Sequence, residues 1–111
     1  MRPKKIPNTH PGQYLEEEFL IPLKISAYRL AKDIHVPAIR ISQIIRGKRS
    51  ITVDTAMRLE KYFGMSAEFW IKWQAHYDLE EAKDRKNEVG KEIKPYKVRG
   101  GNRIKTKTTL H

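Results

Sequence analysis

The chain has 111 residues and a formal charge of +10, from 23 Lys and Arg against 13 Asp and Glu. That length supports one domain around a single core and leaves no room for two, and the absence of Cys excludes a disulfide framework, thiolate zinc sites and Cys nucleophiles. No apolar run follows the charged start Met1 to Pro7, and nowhere is there an uncharged apolar stretch of the roughly 18 residues needed to cross a bilayer, so a cytoplasmic protein without a membrane partner is expected.

The positive charge is unevenly placed. Residues 26–49 carry six basic residues against one acidic, and residues 83–111 carry ten against three, while the segment between them is net acidic. An anionic partner is expected, and the first of these windows lies inside the patterned part of the chain.

From about residue 11 to 82, Pro, Gly, Ser and Thr punctuate five short helical patterns. No alternation of period two is long enough to make a strand, so the expected class is all-α. The first helix follows His10-Pro11-Gly12, with Leu15 and Phe19 on its inner face and Glu16, Glu17 and Glu18 near the positive end of its dipole; Ile21-Pro22 ends it. Ser26 caps a second helix, in which Ala27, Leu30, Ala31 and Ile34 fall at i, i+3, i+4 and i+7.

After His35-Val36 a third helix runs from about Pro37 to Arg46, with Ile41, Ile44 and Ile45 inward and Gly47 just past its end. Thr52 caps a fourth helix that continues through Phe63 with Ala56, Leu59 and Phe63 inward, and Gly64 follows it. Ser66 caps a fifth, whose Phe69, Trp70, Trp73 and Tyr77 form an aromatic stripe at helical spacing. The expected folded unit spans residues 8–85. Beyond it, Gly90, Pro95 and Gly100-Gly101 interrupt any helix and predict a flexible basic tail over 86–111.

The stretch from Leu30 to Gly47 has the spacing of a helix-turn-helix. Ala31 is small where the two helices come closest, Val36 plugs the turn, and Ile41 and Ile44 lock the second helix against Leu30, Ala31 and Ile34. Ala38, Ile39, Arg40, Ser42, Gln43 and Arg46 are thereby forced outward. Such a set matches a DNA major groove, with Arg for guanine acceptors, Gln for adenine and small apolar groups for thymine methyls. Lys48 and Arg49, where a groove-bound helix leaves the duplex, suit phosphate neutralisation. The plain alternative is an amphipathic helix pair with an idle solvated face; such faces favour Glu and Lys, and the basic window weighs against it.

Several further motifs occur in order: His10-Pro11-Gly12, Phe19-Leu-Ile-Pro-Leu23, Tyr28-Arg-Leu-Ala31, Arg46-Gly-Lys-Arg-Ser-Ile-Thr52, Asp54-Thr-Ala56, Tyr62-Phe-Gly64 and Glu68-Phe-Trp70. Over residues 8–82 the chain thus resembles the HigA (VapI) antitoxin family, of the Cro/C1 (XRE) type with a lambda repressor-like fold. The resemblance implies a homodimeric autorepressor that binds its own operator DNA and neutralises a co-encoded HigB toxin, an mRNA-cleaving ribonuclease. Ala31, Val36, Ile41 and Ile44 match framework positions of the motif, and Arg40, Ser42 and Gln43 match positions that commonly face DNA. His35 departs from the pattern: Gly is usual there because the turn is left-handed, so a positive φ is expected at a cost of about 1 kcal/mol.

Other features point to no chemistry. His10, His35, His76 and His111 lack metal-ligand spacing, no nucleophile is paired with a base, and neither an enzyme nor a cofactor is expected. The aromatic stripe of Phe69, Trp70, Trp73 and Tyr77 suits a core or a subunit interface, and part of it is assigned to dimerisation. A two-fold dimer also follows from operator geometry, since half-sites lie about 34 Å apart. Glu16 to Glu18 either attract a basic toxin or simply favour the helix start. Two alternatives share the composition: a stand-alone repressor of the same fold without a toxin, and an RNA-binding module that uses the basic tail.

Overall fold

The computed structural model describes residues 8–97, and the elements among them are all helical. Residues 11–23 form three abutting helical segments, Pro11–Leu15, Glu16–Leu20 and Ile21–Leu23, numbered together as α1. Next come α2 (Ala27–Asp33), α3 (Ala38–Ile45), α4 (Val53–Phe63), α5 (Ala67–Glu81) and α6 (Lys83–Glu92).

Among the described residues, four of the six helix starts, those of α1, α2, α4 and α5, are capped by a side chain. Ser26 Oγ accepts the Arg29 N–H at 3.0 Å, Thr52 Oγ1 accepts that of Thr55 at 3.4 Å, and Ser66 Oγ accepts that of Phe69 at 3.0 Å. At α1 the cap is His10, whose Nδ1 accepts the Gly12 N–H at 2.9 Å. The middle segment of α1 is of π type, with the Ile21 N–H bonded back to Glu16 O. Pro22 supplies the physical reason: it has no N–H, and its ring crowds the carbonyl four residues back, so the preceding turn widens. Lys24 closes α1 in the left-handed region at φ 55°, an ending that the sequence expectation, which stopped at Ile21-Pro22, did not include.

Residues 8–81 fold as one compact unit. Its core contains Leu15, Leu20, Leu30, Ala31, Ile34, Ile41, Ile44, Ile51, Ala56, Leu59 and Trp70. A buried polar pin ties the loop after α3 to α5: Gln74 Oε1 accepts the Ile51 N–H at 2.9 Å, and Gln74 Nε2 donates to Asp78 at 3.0 Å. Gly12 brings α1 against α3 so tightly that a Cβ atom there would lie 1.8 Å from the Ile44 carbonyl oxygen. Only glycine permits that approach.

Two expectations are corrected. Residues 83–92, placed partly in a flexible tail, form α6, and the helix passes through Gly90. Strong helix formers, with Asp84 in the first turn and Lys91 in the last, offset that glycine. The part of the expected tail over 98–111 lies outside the described residues. The second correction concerns Trp70, expected in a dimer interface. It is 0% exposed and belongs to the subunit's own core, so it offers a partner no area.

Candidate nucleic-acid interface

The turn between α2 and α3 is built by backbone bonds. The Ile34 N–H bonds to Leu30 O at 3.0 Å, the His35 N–H to Lys32 O at 3.2 Å, and the Val36 N–H to Ala31 O at 3.0 Å. His35 sits at φ 60°, the left-handed value expected of it, and Val36 packs half-buried against the core. Pro37, extended at φ −62° and ψ 141°, leads into α3, and Gly47 at φ 73° leaves it. The third helix therefore lies one residue inside each expected bound.

Burial fixes how α3 is rotated. Ile41 and Ile44 are fully buried, and on α2 Leu30, Ala31 and Ile34 are buried with them. Ala38, Ile39 and Arg46 are exposed, and Arg40, Ser42 and Gln43 are half-exposed on the same outer surface. Ile39 is 56% exposed, so its apolar side chain is open to a partner's surface. Lys48 and Arg49 are exposed in the loop beyond Gly47. Every residue singled out in the sequence for DNA contact is thus at least partly accessible.

Two of these side chains are held from outside the helix. Arg40 Nη1 lies 3.4 Å from Asp54 Oδ2 at the start of α4, and that oxygen also accepts from Arg58 Nε at 2.9 Å. Arg58 Nη1 in turn donates to Ile34 O in the turn at 2.9 Å. The Arg58 hydrogen bond, with the charges of Arg58 and Arg40, holds the Asp54 carboxyl below its ordinary range. Gln43 Oε1 accepts from Arg49 Nε at 2.8 Å. Asp54 and Arg58 were absent from the expected site. Their i, i+4 spacing is visible in sequence, but the link to Arg40, fourteen residues away, has no local signal.

The aromatic residues of α5 face inward more than outward. Tyr14 of α1 lies 5.6 Å from Phe69 and 4.6 Å from Trp73 between ring centroids, and His10 stacks edge-on to Tyr77 at 4.8 Å. Phe69, Trp73 and Tyr77 retain partial exposure, and Leu79 on the same helix is 69% exposed. Among the described residues no group of His, Cys, Asp and Glu is arranged to hold a metal ion, and no helix is long and apolar enough to cross a membrane.

Residues 17–70 match the helix-turn-helix family model. The chain is 46% identical over 85 residues to virulence-associated protein I of Dichelobacter nodosus, an alignment covering 77% of this chain and 79% of that protein. Among solved structures it is similar to an addiction module antidote protein of the HigA family from Coxiella burnetii, at 43% identity and a TM-score of 0.73, over 82% of this chain and 100% of that one. It is also similar to the antitoxin HigA of Pseudomonas aeruginosa, solved with the higBA promoter, at 37% identity and a TM-score of 0.74, over 80% of this chain and 98% of that one. The chain belongs to the HigA (VapI) family of helix-turn-helix antitoxins.

Proposed function

We propose that the chain is a sequence-specific DNA-binding autorepressor and the antitoxin of a two-protein pair, acting in the cytoplasm as a Cro/C1-type homodimer. The observation that carries this reading is the rotation of α3. With Ile41 and Ile44 fully buried, the helix presents Ala38, Ile39, Arg40, Ser42, Gln43 and Arg46 to solvent. An α-helix fits the major groove, and Arg and Gln on its outer side match the hydrogen-bonding edges of the bases there, while Ala38 and Ile39 offer apolar contact to thymine methyls. Lys48 and Arg49 follow where the backbone of the duplex passes, and they neutralise phosphates.

A two-fold dimer places two copies of α3 about one helical turn of DNA apart. The partly exposed edges of Phe69, Trp73 and Tyr77, with Leu79, give α5 an apolar surface for that contact. The partner to be neutralised is a HigB-like mRNA interferase, for which the exposed carboxylates of Glu17 and Glu18 supply charge complementary to a basic ribonuclease.

The test uses the full chain with two probes: the DNA upstream of its own reading frame, and the product of the adjacent reading frame. Selective binding to that DNA over a scrambled duplex, with co-purification of the neighbour, supports the proposal. Equal affinity for the upstream and scrambled DNA refutes the repressor role, and a neighbour that neither co-purifies nor is inhibited refutes the antitoxin role.

A further inference from the structure

Arg40 and Gln43 are three residues apart on α3 and therefore neighbours on one face of the helix. Each is held by a group that α3 does not carry. Arg40 meets Asp54 Oδ2 at 3.4 Å, and Gln43 Oε1 meets Arg49 Nε at 2.8 Å. The second contact fixes a chemical orientation. A guanidinium has donors and no acceptor, so the end of the Gln43 carboxamide that faces Arg49 must be its oxygen, and the NH2 end is left for another partner.

The first contact is one link in a longer chain. Asp54 Oδ2 is also bonded to Arg58 at 2.9 Å, and Arg58 is bonded to Ile34 O at 2.9 Å, so the turn of the motif, α4 and Arg40 are connected through one carboxylate. Asp54 is also an acidic group on a face proposed to meet phosphates. Within residues 26–54 the only acidic residues are Asp33 and Asp54. A carboxylate there opposes non-specific attraction to DNA, and its hold on Arg40 gives it a use.

We propose that Asp54 and Arg49 are positioning residues for base recognition. Asp54 fixes the direction in which Arg40 presents its remaining donors. Arg49 turns the Gln43 carboxamide so that its two N–H donors face the groove, which favours a base edge rich in acceptors, guanine or thymine, over the cytosine amino group. Ordering both side chains before binding lowers the entropy lost when they meet the bases. The inference rests on the operator-binding reading and deepens it.

The experiment starts with duplexes selected by the wild-type full chain from a random pool. Affinities are then measured for the selected duplex, each of its single base-pair variants and a scrambled duplex, over a range of salt. Asp54→Asn is expected to bind the scrambled duplex more tightly, with a steeper salt dependence, while losing about ten-fold in discrimination at one base pair; Asp54→Glu restores part of it. Arg49→Lys conserves charge and is expected to keep the salt slope but lose about ten-fold at a different base pair, the one where Gln43→Ala also loses. Combining Arg49→Lys with Gln43→Ala adds no further loss at that pair, which marks the two residues as one unit.

Thermal melting of each variant checks that it is folded. Variants that discriminate as the wild type does, or that lose equally on selected and scrambled DNA, overturn the inference alone. A wild-type chain that enriches no sequence overturns the operator-binding reading and this inference with it.

Discussion

Gly12→Ala is the sharpest test of how α1 supports α3. The added methyl group would lie 1.8 Å from the Ile44 carbonyl oxygen and 2.6 Å from its carbon. Ordinary carbon–oxygen contacts are about 3.3 Å or longer, so the two helices must separate by about 1.5 Å. Neither side can yield cheaply, because both the clashing group and its obstacle are fixed to backbone. Separation also opens the packing around Leu15 and Ile44, both fully buried.

Overpacking of this kind costs about 1–3 kcal/mol, and the lost contacts bring the expected destabilisation to about 3 kcal/mol. For a domain of this size that corresponds to a fall in Tm of roughly 10–20 °C, read by far-ultraviolet circular dichroism. Gly90→Ala is the internal control: nothing lies within 4 Å of the position, and alanine favours the helix there by about 1 kcal/mol. A Gly12→Ala protein that melts within about 2 °C of the wild type would refute the close-approach argument.

Three other outcomes follow from the same geometry. Lys48→Ala weakens binding to every duplex alike and lowers the salt slope by about one; loss confined to a single base position would contradict a phosphate contact. Burial lowers the His10 pKa below its ordinary value near 6.5, with Asp78 acting partly against it, and the neutral Nδ1 caps α1. The unfolded chain therefore takes up a proton more readily than the folded one. The His10 contribution is present above about pH 6.5 and is lost as pH falls below it, so the wild-type Tm should decline more steeply toward about pH 5.5 than that of His10→Asn, which keeps a capping acceptor. Parallel declines would remove the assignment. Light scattering should give twice the 13.1 kDa chain mass, and Leu79→Asp should shift the protein toward monomer without loss of helicity, whereas an unchanged dimer would place the contact elsewhere.

What could be read in advance was local. Ser26, Thr52 and Ser66 cap helices because a hydroxyl can reach an N–H three residues on, and that requirement is written in adjacent positions. His35 at φ 60° and Gly47 at φ 73° likewise answer to short-range sterics, and the isoleucine spacing of α3 fixes which side is buried. Distant pairings were not legible. The Gln74 pin on Ile51 spans 23 residues and the Arg40 contact with Asp54 spans 14, and neither leaves a periodic trace. Trp70 and Phe69 look alike on a helical stripe, yet one is sealed in the core and the other is partly open, a difference that their spacing alone does not show. Gly90 was read as a breaker, but its neighbours' helix propensity outweighed it.

The proposed operator reading depends on α3 turning Gln43 toward the bases of a duplex. The direct measurement is the affinity of Gln43→Ala for a wild-type-selected duplex and for random DNA at the same salt concentration. The expected result is a loss of about 1–3 kcal/mol on the selected duplex with random binding unchanged, and tolerance of substitution at one base pair. Equal losses on both DNAs, or none on either, would contradict base reading by this helix.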